Sequence, residues 1–178
     1  MKVTETNLFG CIIIEPTIFN DERGYFFESF NTRLFNDAVG EEIKFIQDNQ
    51  SFSKRGVLRG LHFQKGEYSQ AKLVRVIQGK ILDVVVDIRQ DSPTFGGHFS
   101  IELSENNKKQ LFIPRGFAHG FVVLSKEAQF FYKCDNYYNK NSESGIIYDD
   151  PDLDIDWKLG RDDLVLSEKD LALPTLKN

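Results

Sequence analysis

The stretch GVLRGLHFQKGEYSQAKLVRVIQG, from Gly56 to Gly79, reads as two β-strands joined by a short loop. It carries one histidine, His62, together with two cations, Arg59 and Lys72. On residue type alone His62 is open to three interpretations: a metal ligand, an imidazole satisfied inside the core, or a catalytic base. The choice among them depends on the fold that surrounds this stretch.

Similar alternating runs, broken by Gly, Asn, Asp, Ser or Pro, recur along the whole chain. This pattern is typical of an antiparallel sandwich or small barrel, and the gaps are too short for the crossover helices of a βαβ fold. Within residues 80–89, alternation puts Leu82, Val84 and Val86 on one face and Asp83 on the other. The sequence therefore predicts an all-β fold whose strands fall within residues 11–19, 25–30, 44–52, 57–64, 71–77, 80–89, 98–103, 110–113, 117–124, 128–134 and 145–148.

Helix is scarce. Residues 32–40, after the capping candidates Asn31 and Thr32, predict about two turns that end at Gly40. Another short helix is predicted after Ser167 as N-cap, with Pro174 as its stop. Because the chain has no internal repeat, low-complexity tract or linker, residues 1–178 are predicted to form a single domain.

The bulk composition excludes several classes of protein. A net charge of -5 and a pI near 5.3 leave no extended basic face for a nucleic acid polymer, although a local cationic cluster could hold a small anion. The apolar run before Glu15 and Pro16 is too short for a signal peptide or a membrane span, so a cytoplasmic location is expected. Cys11 and Cys134 lack metal-site spacing and are predicted to be small buried hydrophobic residues.

A second motif lies in LFIPRGFAHGF, where Pro114, Gly116 and His119 have the spacing PxGxxH. Together with the glycine and histidine spacing of residues 56–79, it resembles the paired signature of the cupin superfamily. That resemblance implies a double-stranded β-helix, or jelly-roll barrel, with a few short peripheral helices. Members of this superfamily often hold a metal ion.

Two departures from the metal-binding signature matter chemically. Where the first motif usually has a second histidine this chain has Gln64, and where it usually has a glutamate this chain has Lys72. A metal ion needs ligands with free lone pairs, and a protonated lysine has none. The sequence therefore predicts a barrel without a metal site, which leaves the imidazole of His62 free to act as a base.

Segments spread along the chain resemble the dTDP-4-dehydrorhamnose 3,5-epimerase family. The match covers nearly the whole chain, in order and without a large insertion. It is carried by DERGYFFESF (21–30), QDNQS (47–51), VLRGLHFQ (57–64), KLVRV (72–76), DIRQDSPTFG (87–96), PRGFAHGF (114–121), YKCDNYY (132–138), DDPDLDIDW (149–157) and LSEKD (166–170).

The resemblance implies a dTDP-sugar epimerase that needs no cofactor. Its reaction would be epimerisation at C3 and C5 of dTDP-4-dehydro-6-deoxy-D-glucose, giving dTDP-4-dehydro-L-rhamnose through an enolate, in dTDP-rhamnose biosynthesis. A 3-epimerase or another single-centre epimerase of the same family, acting on a related dTDP-keto sugar, is the alternative. The resemblance also implies a homodimer in which N-terminal strands pair across subunits.

Epimerisation beside a ketone needs a base, a group that stabilises the enolate, and an acid. The resemblance assigns these roles to His62, Lys72 and Tyr132 in that order. A base histidine works best when a carboxylate fixes its tautomer. The resemblance makes Asp170 that carboxylate, while Asp83 on its strand remains a second candidate.

A further set of residues would bind the nucleotide sugar. Arg23 and Arg59 are expected to clamp the diphosphate, because guanidinium groups bind phosphate oxygens bidentately. By resemblance, Tyr138 stacks on the thymine base. Also by resemblance, the rest of the substrate-binding set is Glu28, Gln47, Asp48, Asn49, Lys72, His119, Glu143 and Lys169.

Strict strand alternation puts Arg59 and His62 on opposite faces of one strand, whereas the family resemblance implies that both lie in one site. Gly60 between them would allow a bulge that re-aims one side chain.

Two other classes of function stay open: a metal-dependent cupin enzyme such as a dioxygenase or isomerase, and a nucleotide-sugar binder without catalytic activity.

Overall fold

Two antiparallel sheets face each other in the computed structural model, which describes residues 1–177. The strands are β1 (Lys2–Glu5), β2 (Ile12–Glu15), β3 (Phe19–Asp21), β4 (Gly24–Phe26), β5 (Gln47–Lys54), β6 (Leu58–Gln64), β7 (Lys72–Gln78), β8 (Lys80–Asp87), β9 (His98–Ser104), β10 (Gln110–Ile113), β11 (Phe117–Val123), β12 (Glu127–Cys134) and β13 (Glu143–Gly145). The helices are α1 (Thr32–Val39) and α2 (Glu168–Leu171), with short 3₁₀ turns at Gly66–Tyr68, Lys140–Ser142 and Arg161–Asp163.

The larger sheet has the order β1-β2-β10-β7-β12-β5, and the smaller one has the order β13-β6-β11-β8-β9. Between them lies a core to which both sheets contribute, including Val74, Val85, Leu111, Phe121 and Phe130. This arrangement confirms the predicted all-β jelly roll with a few short peripheral helices. Strands β3 and β4 stand apart as a separate hairpin.

Strand β8 is buried on both faces. Leu82, Val84 and Val86 pack into a second apolar cluster with Trp157 and neighbouring residues of the chain after β13, whereas Val85 joins the core between the sheets. The alternation predicted for this strand is therefore present, but it divides two apolar cores rather than core and solvent. Asp83 lies on the Val85 side, and it is fully buried.

Helix α1 has the predicted bounds and caps. The Asn31 side chain accepts hydrogen bonds from the backbone amides of Arg33 and Leu34, and Gly40 closes the helix in the left-handed conformation with φ 81°. Its one buried residue, Phe35, packs against Phe112 of β10. In residues 1–177, no helix is long and apolar enough to cross a membrane.

Several strand boundaries differ from the predicted ones. The prediction missed β1, because all four of its residues are exposed and leave no alternation to detect. The predicted strand 11–19 is shortened to β2, which Pro16 follows, and the predicted strand 145–148 is replaced by β13. Strand β4 ends at Phe26 rather than continuing to residue 30, and β5 begins at Gln47 rather than at residue 44.

Strand β6 contains the predicted bulge. His62 pairs with His119 and Arg59 pairs with Phe121, so Gly60 and Leu61 together oppose a single residue of β11. Gly60 has φ 114°, and a Cβ there would lie 2.6 Å from the Cα of Gly120. Only glycine fits this close approach, and the bulge brings Arg59 and His62 to one cleft.

The segment that carries α2 folds back beside β6, as predicted. The amide of Leu58 donates to the carbonyl of Val165 at 3.0 Å, and the amide of Val165 donates to the carbonyl of Gly56 at 2.9 Å. Ser167 is the N-cap, as predicted, but the helix ends at Leu171, before Pro174 is reached. This segment forms one wall of the cleft that contains His62.

Both cysteines are buried and free, as predicted from their spacing. Burial raises the pKa of the Cys11 thiol to about 12 and that of the Cys134 thiol to about 11. Both thiols therefore remain protonated at neutral pH and have little nucleophilic character.

Candidate active site

A cleft of about 590 Å³ is lined by residues of both sheets, with a smaller cavity of about 330 Å³ beside it. Four residues line both spaces, namely His62, Lys72, Tyr132 and Glu143. The larger cleft also receives Arg59, His119, Ser167, Lys169 and Asp170. The smaller cavity also receives Gln47, Asn49, Gln64, Gln70 and Tyr138.

The imidazole of His62 is bound to a carboxylate from the far end of the described chain. Its Nε2 lies 2.5 Å from Oδ1 of Asp170, whose side chain is 6% exposed. Burial lowers the pKa of His62 below its ordinary value of 6.5, although Asp170 acts in the opposite direction. His62 is therefore neutral at physiological pH, as a general base must be.

A second histidine and carboxylate pair lies beside the first. Nε2 of His119 is 2.9 Å from Oδ2 of Asp83, and both side chains are buried. The two candidate carboxylates thus have different partners, because Asp83 contacts His119 whereas Asp170 contacts His62. Within residues 1–177, Oδ1 of Asp83 has no hydrogen-bond partner.

Lys72 on β7 and Tyr132 on β12 come from neighbouring strands of the larger sheet. The ammonium nitrogen of Lys72 lies 6.0 Å from the centroid of the Tyr132 ring. Burial lowers the pKa of Lys72, while the charges of Asp83 and Glu143 favour its protonated form. In the part of the chain that the structure describes, no side-chain hydrogen bond or ion pair involves Lys72.

Burial also affects the phenol of Tyr132. It raises the pKa of Tyr132 above the ordinary value of 10.0, with Arg59 acting in the opposite direction. The hydroxyl of Tyr132 therefore carries its proton at neutral pH. It is an acid candidate rather than a phenolate.

Arg59 reaches across the cleft from β6 to β5. Its Nε donates to Oγ of Ser53 at 3.2 Å, and this fixes the guanidinium without neutralising it. The cleft therefore contains the side chains of Arg59 and Lys72 beside His62. Such a pair of basic side chains suits a ligand with negative charge.

At the rim of the cleft, three side chains are linked by a hydrogen bond and an ion pair. The Tyr138 hydroxyl donates to Oε2 of Glu143 at 2.8 Å, and Nζ of Lys169 lies 2.6 Å from the same oxygen. Glu143 thereby connects the loop after β12 with helix α2. All three belong to the predicted substrate-binding set.

The predicted residues of β5 divide between the two faces of the strand. Gln47 and Asn49 line the smaller cavity, and Nε2 of Gln47 donates to Oδ1 of Asn49 at 3.2 Å. The carboxylate of Asp48 lies on the opposite face of β5, where it pairs with Lys133 at 2.9 Å. The structure therefore does not bring the Asp48 side chain into the cleft.

Two other predicted residues lie away from the cleft in the single chain. Arg23 occupies the turn between β3 and β4, where it pairs with Asp21 at 2.6 Å and its side chain is 85% exposed. Glu28 lines a separate, mainly apolar cavity of about 200 Å³ together with Phe30 and Leu73. Neither residue lines the space that holds His62.

The donor groups of the cleft do not suit a metal ion. Oε1 of Gln64, at the position where the signature has a second histidine, accepts from the backbone amide of Asn139 at 3.0 Å. Within the described residues, no three His, Cys, Asp or Glu side chains are grouped so as to hold a metal. Lys72, which stands where the signature usually has a glutamate, brings no carboxylate to the cleft.

Sequence reasoning missed some residues of the cleft. Gln70 lines the smaller cavity, and its Nε2 donates to the carbonyl oxygen of Asn136 at 2.8 Å. Ser167 was predicted only as a helix cap, although it also lines the cleft.

A protein-family model described as dTDP-4-dehydrorhamnose 3,5-epimerase matches residues 5–178. The chain belongs to this family. A family member from Methanothermobacter thermautotrophicus is 54% identical over 170 residues, which is 95% of this chain and 91% of the relative. The family membership that the sequence segments indicated is therefore confirmed.

Solved structures of the family agree with the fold. The enzyme from Elizabethkingia anophelis has a TM-score of 0.96 and 55% identity, covering 99% of this chain and 97% of that one. A Legionella pneumophila dTDP-6-deoxy-D-glucose-3,5-epimerase, crystallised in complex with dTDP-4-keto-L-rhamnose, has a TM-score of 0.95 and 49% identity, covering 99% and 93%. The cupin-type jelly roll and the epimerase class are thus both confirmed.

Proposed function

We propose that this chain epimerises C3 and C5 of dTDP-4-dehydro-6-deoxy-D-glucose and so forms dTDP-4-dehydro-L-rhamnose for dTDP-rhamnose biosynthesis. Family membership supports this reaction. The observation that carries the mechanism is the position of the His62–Asp170 pair in one cleft with Lys72 and Tyr132. Base, enolate counter-charge and acid are then all supplied by side chains, and no cofactor takes part.

His62 is the proposed base. Nε2 donates a hydrogen bond to Oδ1 of Asp170, so the free lone pair of the imidazole is on Nδ1. Nδ1 takes the proton from the carbon beside the C4 ketone. The electrons of the broken C–H bond move onto the ketone oxygen as an enolate. Asp170 stabilises the imidazolium that forms and keeps the ring in one tautomer.

Lys72 is the proposed partner of the enolate oxygen. Among the described residues no side-chain hydrogen bond or ion pair holds the half-buried Lys72, so it is available to a developing negative charge at the cleft. The low polarity of its surroundings strengthens this attraction. Because negative charge develops on the ketone oxygen as the enolate forms, the attraction between that oxygen and the ammonium group of Lys72 is strongest in the enolate state.

Tyr132 is the proposed acid, returning a proton to the face opposite the one from which His62 removed it. Its raised pKa keeps the hydroxyl protonated until the enolate accepts the proton. His62 lies on the smaller sheet and Tyr132 on the larger one, so the two groups approach a sugar between the sheets from different sides. Inversion requires this placement.

The nucleotide would be bound by the remaining polar groups. Arg59 serves as the diphosphate clamp, and Tyr138 at the rim serves as the platform for thymine. His119, Gln47, Asn49, Glu143 and Lys169 complete the proposed contacts, and Asp48 contributes through its backbone. Binding of these remote groups would hold the sugar in its reactive orientation.

We propose a homodimer in which the hairpin of β3 and β4 reaches the partner. This hairpin exposes three aromatic side chains, Phe19, Tyr25 and Phe26, at 61%, 58% and 69% of their surface. Exposed aromatic groups in one place favour an interface. The exposed Arg23 would then complete the diphosphate site of the partner, and Glu28 would lie near the same boundary.

A cytoplasmic location, where the two free thiols would stay reduced, is part of the same proposal.

The reaction is tested by incubation with dTDP-4-keto-6-deoxyglucose in heavy water, following deuterium at C3 and C5. Exchange at both carbons with formation of the rhamnose isomer is expected. Exchange at C3 alone would instead identify a single-centre epimerase, and binding without any exchange would identify a non-catalytic binder.

The shared site is tested by mixing two variants. Arg23→Ala and His62→Asn subunits are each expected to be inactive alone. In a mixed dimer, one cleft would combine an intact His62 with an intact Arg23 from its neighbour, so activity should reappear after the subunits exchange. No recovery in a dimer shown by native mass spectrometry to be mixed would contradict the proposed role of Arg23.

A further inference from the structure

The second oxygen of Asp170 is held by Ser167. The Ser167 hydroxyl donates to Oδ2 of Asp170 at 2.7 Å, while Oδ1 of the same carboxylate contacts His62 at 2.5 Å. The backbone amide of Asp170 donates back to the Ser167 oxygen at 3.2 Å. One hydroxyl therefore both caps helix α2 and fixes the carboxylate, which is within its capacity as donor and acceptor.

Ser167 is itself held in place by the strand that carries His62. Two residues before it, Val165 exchanges backbone hydrogen bonds with Gly56 and Leu58 at 2.9 and 3.0 Å. After it, the amide of Leu171 donates to the Ser167 carbonyl at 3.1 Å. The position of the hydroxyl is thus set by β6 on one side and by α2 on the other.

Among residues 1–177, no other group donates to Oδ2 of Asp170. Asp170 is 4% exposed, so an oxygen that loses its donor is not compensated by bulk water. The neighbouring Lys169 is already paired with Glu143 at 2.6 Å. Without the hydroxyl, the carboxylate would be free to rotate toward the cleft opening, away from the imidazole.

We propose that Ser167 is a positioning residue for the base, holding the Asp170 carboxylate where it fixes the tautomer and orientation of His62. Ser167 does not touch the reacting atoms. It acts through Asp170, and the inference rests on the proposed role of His62. A hydroxyl already needed to start a helix thereby sets the geometry of proton abstraction.

Ser167→Gly is the variant that separates the two roles of the hydroxyl. Glycine at an N-cap costs a helix only a few tenths of a kcal/mol relative to serine, whereas it removes the donor to Asp170 completely. The rate of deuterium exchange at C3 is expected to fall about ten- to hundredfold, the range expected for a hydrogen bond to a charged group. The KM for the keto sugar should change little, because Ser167 is not among the proposed ligands.

The pH dependence of kcat/KM is the second measurement. If the carboxylate rotates away, His62 loses a group that favours its protonated form, so the acidic limb should move to lower pH. The charged or titratable groups that share the cleft with His62 are the same in wild type and variant: Asp170 and Lys169 from α2, Lys72 from β7, Glu143 from β13, Arg59 from β6, His119 from β11 and Tyr132 from β12.

Two further variants serve as controls. Ser167→Thr keeps the hydroxyl and should retain most of the rate and the wild-type acidic limb. Ser104→Ala removes a serine hydroxyl that accepts from the amide of Asn107 at 3.1 Å, at the edge strand β9, and should affect thermal stability alone.

A Ser167→Gly protein with the wild-type exchange rate and acidic limb would overturn the proposal, leaving Ser167 as a helix cap only. The proposal would also be overturned if Ser167→Thr, folded by circular dichroism, lost as much rate as Ser167→Gly. Neither result would affect the proposed reaction. Failure of the reaction itself would appear as absence of exchange in the wild-type protein.

Discussion

His119 on β11 stands opposite His62 on β6 in the strand register, yet the two imidazoles are bound to different carboxylates. Asp83, the partner of His119, comes from the adjacent strand of the same sheet, whereas Asp170 comes from a helix that folds back later in the chain. The His119–Asp83 pair is therefore complete within the smaller sheet, whereas the His62–Asp170 pair requires α2 to pack beside β6.

His62→Asn is expected to abolish deuterium exchange at both C3 and C5. Asparagine lacks a basic lone pair, and a positioned general base contributes about 10² to 10⁴ in rate. The measurement is the proton spectrum of the keto sugar in heavy water. Normal exchange in this variant would show that another group removes the protons.

Tyr132→Phe is expected to spare some exchange while impairing inversion. The base remains, so protons still leave the sugar, but the hydroxyl that would protonate the opposite face is missing. The ratio of exchanged substrate to epimerised product should therefore rise above that of the wild type. An unchanged ratio would remove Tyr132 from the role of acid.

Asp170→Asn and Asp83→Asn should have separable effects. The amide at residue 170 no longer fixes the proton-accepting tautomer of His62, so kcat should fall steeply and the acidic limb should move to lower pH. The amide at residue 83 introduces a buried amide beside His119 and should mainly lower the melting temperature. An acidic limb displaced equally by both changes would contradict the separate pairing.

Lys72→Met should reduce kcat about 10² to 10³-fold, as expected when one preorganised group facing an oxyanion is removed. The same change should raise the melting temperature, because burial disfavours the charged form of Lys72 and methionine is an apolar chain of similar length. Lys80→Met is the matched control, since Lys80 lies outside the cleft and pairs with Glu102 at 3.3 Å. Unchanged turnover in Lys72→Met would exclude the lysine from enolate stabilisation.

Acid should destabilise the fold through Asp87. Hydrogen bonds from Arg89, Ser92 and Thr94 outweigh the effect of burial and lower the pKa of Asp87 from 3.8 to about 2. Because the folded-state pKa is depressed, this stabilisation is present above pH 3.8 and is lost as the pH falls toward 2. A shift of this size is worth about 2 to 3 kcal/mol at neutral pH.

Urea unfolding between pH 7 and pH 2 measures the contribution of Asp87. The wild type should lose this stability as the pH falls, and Asp87→Asn should show a flatter dependence on pH. Asp91→Asn, a change at an exposed carboxylate of the same loop, is the control. Identical pH profiles for wild type and Asp87→Asn would contradict the predicted linkage.

The sequence predicted the fold well because alternation is a local signal. Most strands of the two sheets and the helix capped by Asn31 follow from residue types near one another in the chain. The bulge at Gly60 was predicted because the family resemblance puts Arg59 and His62 in one site. Strand β1 escaped detection because an edge strand with every residue exposed has no apolar face to alternate.

The site was less accessible to sequence reasoning because its contacts are long-range. Alternation placed Asp83 on the face opposite Leu82 but gave no means of choosing between His62 and His119 as its neighbour. The partner of His62 lies 108 residues away, and only the family resemblance pointed to it. The Arg23 side chain raises a different problem, because its proposed ligand lies outside its own subunit.

The position of α2 in chain order has a consequence for protein synthesis. Every strand of the two sheets precedes Asp170, so a ribosome that has released β13 has already delivered both sheets of the barrel. At that stage His62 has a strand on either side but no carboxylate to hold its proton. That chain would also lack Trp157, which covers one face of β8. The segment that leaves the ribosome after β13 therefore completes both the second apolar cluster and the proposed catalytic pair.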